Sequence, residues 1–182
     1  MVPIAVEKKK YTYEDYIKIS DDKRYELING ELIMTPLPVP KHQRVSRKIE
    51  FILEKFVSGN NLGEVFYAPC DVYLDNENVV QPDILFISKD RLDIIGEKNI
   101  QGAPDLVVEI ISENSVYRDM VQKKKLYAKF NVKEYWIVIP EEKEVEVYIL
   151  EGGVHRLYKT YKVDILESAS LKGLKIGLKG IF

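Results

Sequence analysis

Residues 104–112 read PDLVVEIIS, a run of apolar, mostly β-branched residues with one carboxylate, Glu109, in its middle. Bounded by Pro104 and Ser112, the stretch has the length and the Val/Ile content of a strand buried on both faces. An ionised carboxylate in such a strand is costly without a partner, so some other group must meet that charge. Side chains alternate along a strand, which puts Asp105, Val107, Glu109 and Ile111 on one face and Leu106, Val108 and Ile110 on the other.

The preceding apolar segment, VVQPDILFI, also carries an acid directly after a proline, Asp83, beside Leu85 and Ile87. Two carboxylates on neighbouring strands can hold a hard divalent cation, which prefers oxygen ligands. The plainer alternative is that both Pro-Asp pairs only mark strand starts. On the other side, residues from about Ser115 to Phe130 predict a long helix. With Val116 as origin and 100° per residue, Met120, Tyr127 and Phe130 fall on one side with Lys123 among them, Lys124 at the flank and Lys125 pointing away. An inward lysine facing the strand of Glu109 is either a buried ion pair or part of a site. Because desolvating two ions costs several kcal/mol each, the pair alone is a weak reason to keep them.

The rest of the chain frames this centre. Thr12 and Asp15 read as an N-cap and its N3 acid, predicting a short helix over 13–19. In RYELINGELIM, Asn29-Gly30 between apolar runs predicts a hairpin, since both turn residues need positive φ. KHQRVSRKIEFILEKFVSG sets Val45, Ile49, Ile52, Leu53 and Phe56 at helical spacing. From Glu64 to Ile87 three strands are expected (EVFYA, CDVYL and VVQPDILFI), followed by a short helix capped by Ser88 and running to Ile95. EYWIVI and EVEVYIL predict a second hairpin about PEEK, and the last thirty residues read as edge strands and a basic tail. The order argues for a mixed sheet with helices against its faces.

The composition narrows the functions open to it. At 182 residues and 46% hydrophobic, the chain fits one globular domain, 1–182, with an N-terminal helix and hairpin (12–35), a core (41–150) and C-terminal strands with the basic tail (151–182). Twenty-seven Lys and Arg against 29 Asp and Glu leave a net charge of −2, so any nucleic-acid contact must use a local basic surface. One cysteine and two distant histidines exclude an intrachain disulfide and a zinc cluster. The apolar start at residues 2–6 is too short for a secretory signal, and no run approaches a membrane span, so a cytoplasmic protein is expected.

Asp, Glu and Lys together suit phosphodiester hydrolysis. Carboxylates hold a metal that polarises phosphate and acidifies water, and the lysine orients that water or neutralises developing charge. No nucleotide-binding or nucleophile-elbow motif is present.

The succession YELINGEL, His42 at the head of the first long helix, QPDILF, GAPDLVVEIIS, D-x-x-x-K-x-x-x-Y and EYWIVIP resembles the Uma-two family of the PD-(D/E)XK superfamily, over about residues 24–150. The resemblance implies a restriction-endonuclease-like α/β/α core with a mixed β-sheet flanked by helices. It also implies a nuclease site using Mg²⁺ or Mn²⁺, with DNA as the partner, RNA not excluded, and homodimer formation open. Asp83 and Glu109 take the acidic and metal-binding positions. The superfamily's usual lysine position, two residues after the acid, holds Ile111 here, and Lys123 is its displaced counterpart. Glu26, Glu31 and His42 also match family positions, as do Tyr135 and Trp136; Asp105 is a further candidate from the strand pattern. The competing expectation is a catalytically inactive nucleic-acid- or protein-binding module on the same fold.

Overall fold

The computed structural model describes residues 9–112 and 115–182; the apolar start at residues 2–6 lies outside these. The chain opens with the expected capping box, in which Asp15 N–H donates to Thr12 Oγ1 and Thr12 N–H donates to the Asp15 carboxylate. That cap starts only a four-residue helix, α1 (Tyr13–Tyr16). Strands β1 (Arg24–Ile28) and β2 (Glu31–Thr35) form the predicted hairpin, with Asn29 at φ 52° and Gly30 at φ 79°. A two-residue turn of this hand matches the twist of the strands it joins.

The long helix α2 (Pro40–Gly59) buries Val45, Ile49, Leu53 and Val57, one stripe at the spacing read from the sequence, while Ile52 and Phe56 flank it half-buried. The segment expected as three strands is four: β3 (Gly63–Tyr67), β4 (Val72–Asp75), β5 (Asn78–Val80) and β6 (Ile84–Ser88). VVQPDILFI breaks at Gln81-Pro82-Asp83 because Pro82 has no N–H for a ladder. Its halves enter different sheets, and the break leaves Asp83 beside β6. The short helix expected after Ser88 is a 3₁₀ helix (Lys89–Ile94), and Ser88 precedes it without the expected side-chain cap. Next come β7 (Ile100–Gln101) and β8 (Leu106–Ile110), the latter buried at every position.

The second long helix is continuous but irregular. Residues Arg118–Lys123 form a π-helical segment that runs into α3 (Lys124–Lys129). The wider π turn shifts the phase of the residues before it, so Val116, the origin of the helical wheel, is exposed, whereas Asp119 and Lys123 both turn inward. Strands β9 (Glu134–Ile139), β10 (Glu144–Glu151) and β11 (Val154–Tyr161) complete the larger sheet, ordered β11-β10-β9-β8-β6-β3 and antiparallel except for β8 beside β9. The smaller sheet, β2-β1-β5-β4-β7, is antiparallel except for β4 beside β7.

Two cores form on the faces of β8. Leu106, Val108 and Ile110 meet α2 on one side; Val107 meets the smaller sheet and α3 on the other, through Ile28, Val72, Leu126 and Tyr127. The segment read as a basic tail is a covering element. Its short strands β12 (Ile165–Glu167) and β13 (Lys175–Gly177) belong to a segment that buries Leu171, Leu174, Ile176, Leu178 and Ile181 on the α2 side and leaves Lys172, Lys175 and Lys179 outward. Among the described residues no helix is long and apolar enough to cross a membrane.

Candidate active site

Glu109 sits in the middle of β8 with 3% exposure, and the group that meets it is Lys123. The Lys123 ammonium donates to Glu109 Oε1 at 2.9 Å and lies 2.6 Å from Glu26 Oε1 and 3.7 Å from Asp119 Oδ1. Tyr127 OH donates to the same Glu109 oxygen at 2.7 Å. One helix delivers this set, since Asp119, Lys123 and Tyr127, each four residues apart, share the face turned towards the sheet. The smaller sheet supplies Glu26. The Gln81 N–H, freed from any ladder by the strand break, donates to Glu26 Oε1 at 2.8 Å. Glu26 Oε2 is buried with no hydrogen-bond partner among the described residues, the Arg118 guanidinium lying 3.6 Å away.

Asp83 reaches the same place by another route. Its Oδ2 accepts the Ile110 N–H at 2.7 Å, tying it to the residue after Glu109, and lies 3.1 Å from His42 Nε2 at the head of α2. Glu26, His42, Asp83, Glu109, Arg118 and Lys123 line one cleft of about 500 Å³, between the β1–β2 hairpin, the N-terminal half of α2 and the π-helical segment.

The electrostatics follow from burial and crowding. Burial raises the Glu109 pKa, and the carboxylates of Asp119, Asp83 and Glu26 add to the rise, while Lys123 opposes it. Burial alone would lower the Lys123 pKa; Glu109, Glu26 and Asp119 outweigh it and hold the ammonium above the ordinary lysine range. For His42, burial is likewise overcome by the hydrogen bond and charge of Asp83, which raise its pKa.

The cleft brings together Asp83, Glu109, Lys123, Glu26 and His42, but two other candidates stand elsewhere. Asp105 shares the Glu109 face of the strand yet lies at the opposite end. There Lys133 (2.6 Å), Arg91 (3.1 Å) and the Ser88 N–H (2.9 Å) enclose it. Burial opposes its ionisation, and these partners, Lys133 first, still hold its pKa below the ordinary 3.8, as in a structural ion cluster. Glu31 is exposed at the start of β2, outside the cleft lining, because the hairpin turn places it at the far end of the strand from the opening. Ile111, in the usual lysine position, packs half-buried against the second core, so the cation reaches Glu109 from the helix instead. Sequence reasoning misses Asp119, Arg118, Tyr127 and Gln81. The spacing D-x-x-x-K-x-x-x-Y holds the signal for two of them, since it stacks Asp119 and Tyr127 on the face of Lys123.

No three acidic, histidine or cysteine side chains form a ready metal cluster among the described residues. The donor chemistry nonetheless fits a hard divalent cation. Four carboxylates, Glu26, Asp83, Glu109 and Asp119, face two permanent cations, Arg118 and Lys123. Neither Asp83 Oδ1 nor Glu109 Oε2 has a hydrogen-bond donor among the described residues. Mg²⁺ commonly binds through one or two carboxylates while keeping several waters, so a sparse ligand set suffices.

Comparison with known proteins agrees with the fold. No curated protein matches the chain. A solved structure described as a putative nuclease belonging to DUF820, from Anabaena variabilis ATCC 29413, superposes with a TM-score of 0.79 at 19% identity, covering 94% of this chain and 97% of that one. The mixed sheets flanked by helices are therefore those of a nuclease-like fold. The family model Uma2, "Putative restriction endonuclease", matches residues 12–179, and with most of its length matched the chain belongs to the Uma2 family.

Proposed function

We propose that the protein is a divalent-metal-dependent endonuclease that hydrolyses phosphodiester bonds in DNA. The observation that supports this most is the convergence of Asp83, just before β6, and Glu109, in β8, on an open cleft with a cluster of carboxylates and one buried lysine. Asp83 and Glu109 would hold Mg²⁺ or Mn²⁺, which when bound polarises a phosphate and lowers the pKa of a coordinated water. The protein's own groups do the remaining work. Lys123, kept charged by its carboxylate partners, sets a fixed positive charge next to Glu109, where negative charge accumulates on phosphorus oxygens. Lys123 and Tyr127 both donate to Glu109 Oε1, which leaves Oε2 for the cation. His42 and the Ile110 N–H both hold Asp83 Oδ2, which fixes the direction of the other oxygen.

A second reading, a binding module without turnover, draws on one observation: the Lys123 ammonium already contacts three carboxylates, a saturated pairing that a purely structural ion cluster would also show. A cleavage assay on linear, supercoiled, single-stranded and branched DNA with Mg²⁺ or Mn²⁺ separates the two. Cleavage that chelator abolishes and Glu109→Ala removes is expected. Intact substrates in every metal and DNA form would overturn the enzyme reading.

A further inference from the structure

The N-terminal half of α2 carries an excess of positive charge. A helix N-terminus favours acids and disfavours cations, yet the first turn of α2 has no acidic residue and no side-chain cap. Instead Lys41, Arg44, Arg47 and Lys48 lie within its first nine residues. Arg44 and Arg47 are exposed and have no ion-pair partner among the described residues, whereas Lys41 meets Glu141 at 2.7 Å and Lys48 donates to the Ile181 carbonyl. At 100° per residue these four cations share one arc of about 120°, with Arg47 at its edge. Arg47 faces the carboxylate cleft; Lys41, Arg44 and Lys48 line a second depression of about 480 Å³ together with Lys143.

The mouth of the cleft has a different character. Leu37 is 83% exposed, Tyr67 62% and Val39 58%, and all three line it. Pro36 and Pro38 stiffen the segment that carries Leu37, so the apolar lip is held out in advance of any partner. Among the described residues, Glu50 is the one acid on this rim outside the carboxylate cluster.

We propose that this surface takes a DNA strand with unpaired bases: bases pack on Tyr67 and the Leu37 lip at the cleft mouth, and the phosphates cross α2 past Arg47 and Arg44 into the second depression. This rests on the nuclease reading and names its substrate class. The pairing of surfaces is what selects the occupant. Cations along a track meet phosphates, and exposed aromatic and apolar groups beside that track meet the flat faces of bases, which a duplex keeps stacked inside.

Fluorescence anisotropy with the whole protein tests it, using a labelled strand of about 20 nucleotides, long enough to span one such groove, the blunt duplex of the same sequence and a duplex with a single-stranded flap, each with Ca²⁺ and with chelator. The strand and the flap are expected to bind about tenfold or more tighter than the blunt duplex, as for one or two stacked bases. Tyr67→Ala should weaken strand binding about fivefold or more, as for one lost stacking contact, and leave duplex binding unchanged, while Tyr67→Phe restores it. Arg44→Glu should weaken both forms and flatten the salt dependence by about 0.7 in log K per log salt. Equal affinity for strand and duplex, equal effects of Tyr67→Ala on both, or no binding at all would overturn the proposal. Selective strand binding without cleavage of any DNA would instead remove the nuclease reading and keep this surface.

Discussion

Lys123 carries the most information of any single residue. It is 1% exposed and holds together acids from three elements: β1, β8 and its own helix. Removing it leaves three buried carboxylates without their ammonium, a class of change that costs about 3–5 kcal/mol. Lys123→Met is therefore expected to melt well below the parent in chelator and to recover part of the difference in Mn²⁺, which supplies replacement charge. Lys125→Met, at an exposed position, should stay within about 0.5 kcal/mol of the parent. Thermal melts that coincide for the two variants would show that Lys123 does not neutralise the cluster. The pH dependence has a definite sign. The folded pKa of Lys123 lies above the unfolded 10.5, so its contribution is complete below 10.5 and is lost as pH climbs through the folded value. Tyr127 and Tyr135, with pKa values raised by burial, lose stability in the same alkaline direction, so the lysine's share is the difference between parent and Lys123→Met.

Among the elements, the junction of α2 and β3 carries two glycines under opposite constraints. A Cβ added to Gly59, at the end of α2, would meet nothing within 4 Å, whereas one on Gly63, at φ 148°, would run into the backbone carbonyl of Ile87 on β6. Gly59→Ala should raise stability by about 0.5–1 kcal/mol through helix propensity. Gly63→Ala should destabilise sharply, because neither backbone can yield without breaking the β3–β6 ladder that ends beside Asp83. Urea titration of both variants checks the pair, and a tolerated Gly63→Ala would mean that β3 is free to shift. The helix after β8 is an element that builds the site: Asp119, Lys123 and Tyr127 recur every four residues on its inward face, and the π-helical segment sets the phase of the residues before them, leaving Val116 exposed.

Across the molecule, the net charge of −2 hides a local concentration of charge: four carboxylates crowd around Lys123 and Arg118 in the cleft, while Lys41, Arg44, Arg47 and Lys48 lie over the first half of α2. A divalent cation that binds only the folded state should therefore raise the melting temperature, by about 2.7 kcal/mol of stability at roughly a hundred times its dissociation constant. The rise should vanish in Asp83→Asn plus Glu109→Gln. An equal rise in parent and double variant would place the ion elsewhere. The periodic parts of this protein are legible in the chain alone: the Asn29-Gly30 turn, the stripe of α2, the alternation of β8, and an inward Lys123 facing Glu109. Those are local consequences of φ preference and of hydrophobic period, so neighbouring residues suffice to state them. Motif order points further, to Asp83 and Glu26. Which acids share a space is settled only in three dimensions. Asp105 and Glu109 lie on one face of one strand, yet different partners at its two ends give one a closed ion cluster and the other a cleft. The split of VVQPDILFI between two sheets, the π turn and the burial of the lysine-rich C-terminal segment likewise depend on partners far away in the chain, because burial and charge pairing are set by distance in space and leave no period in the sequence.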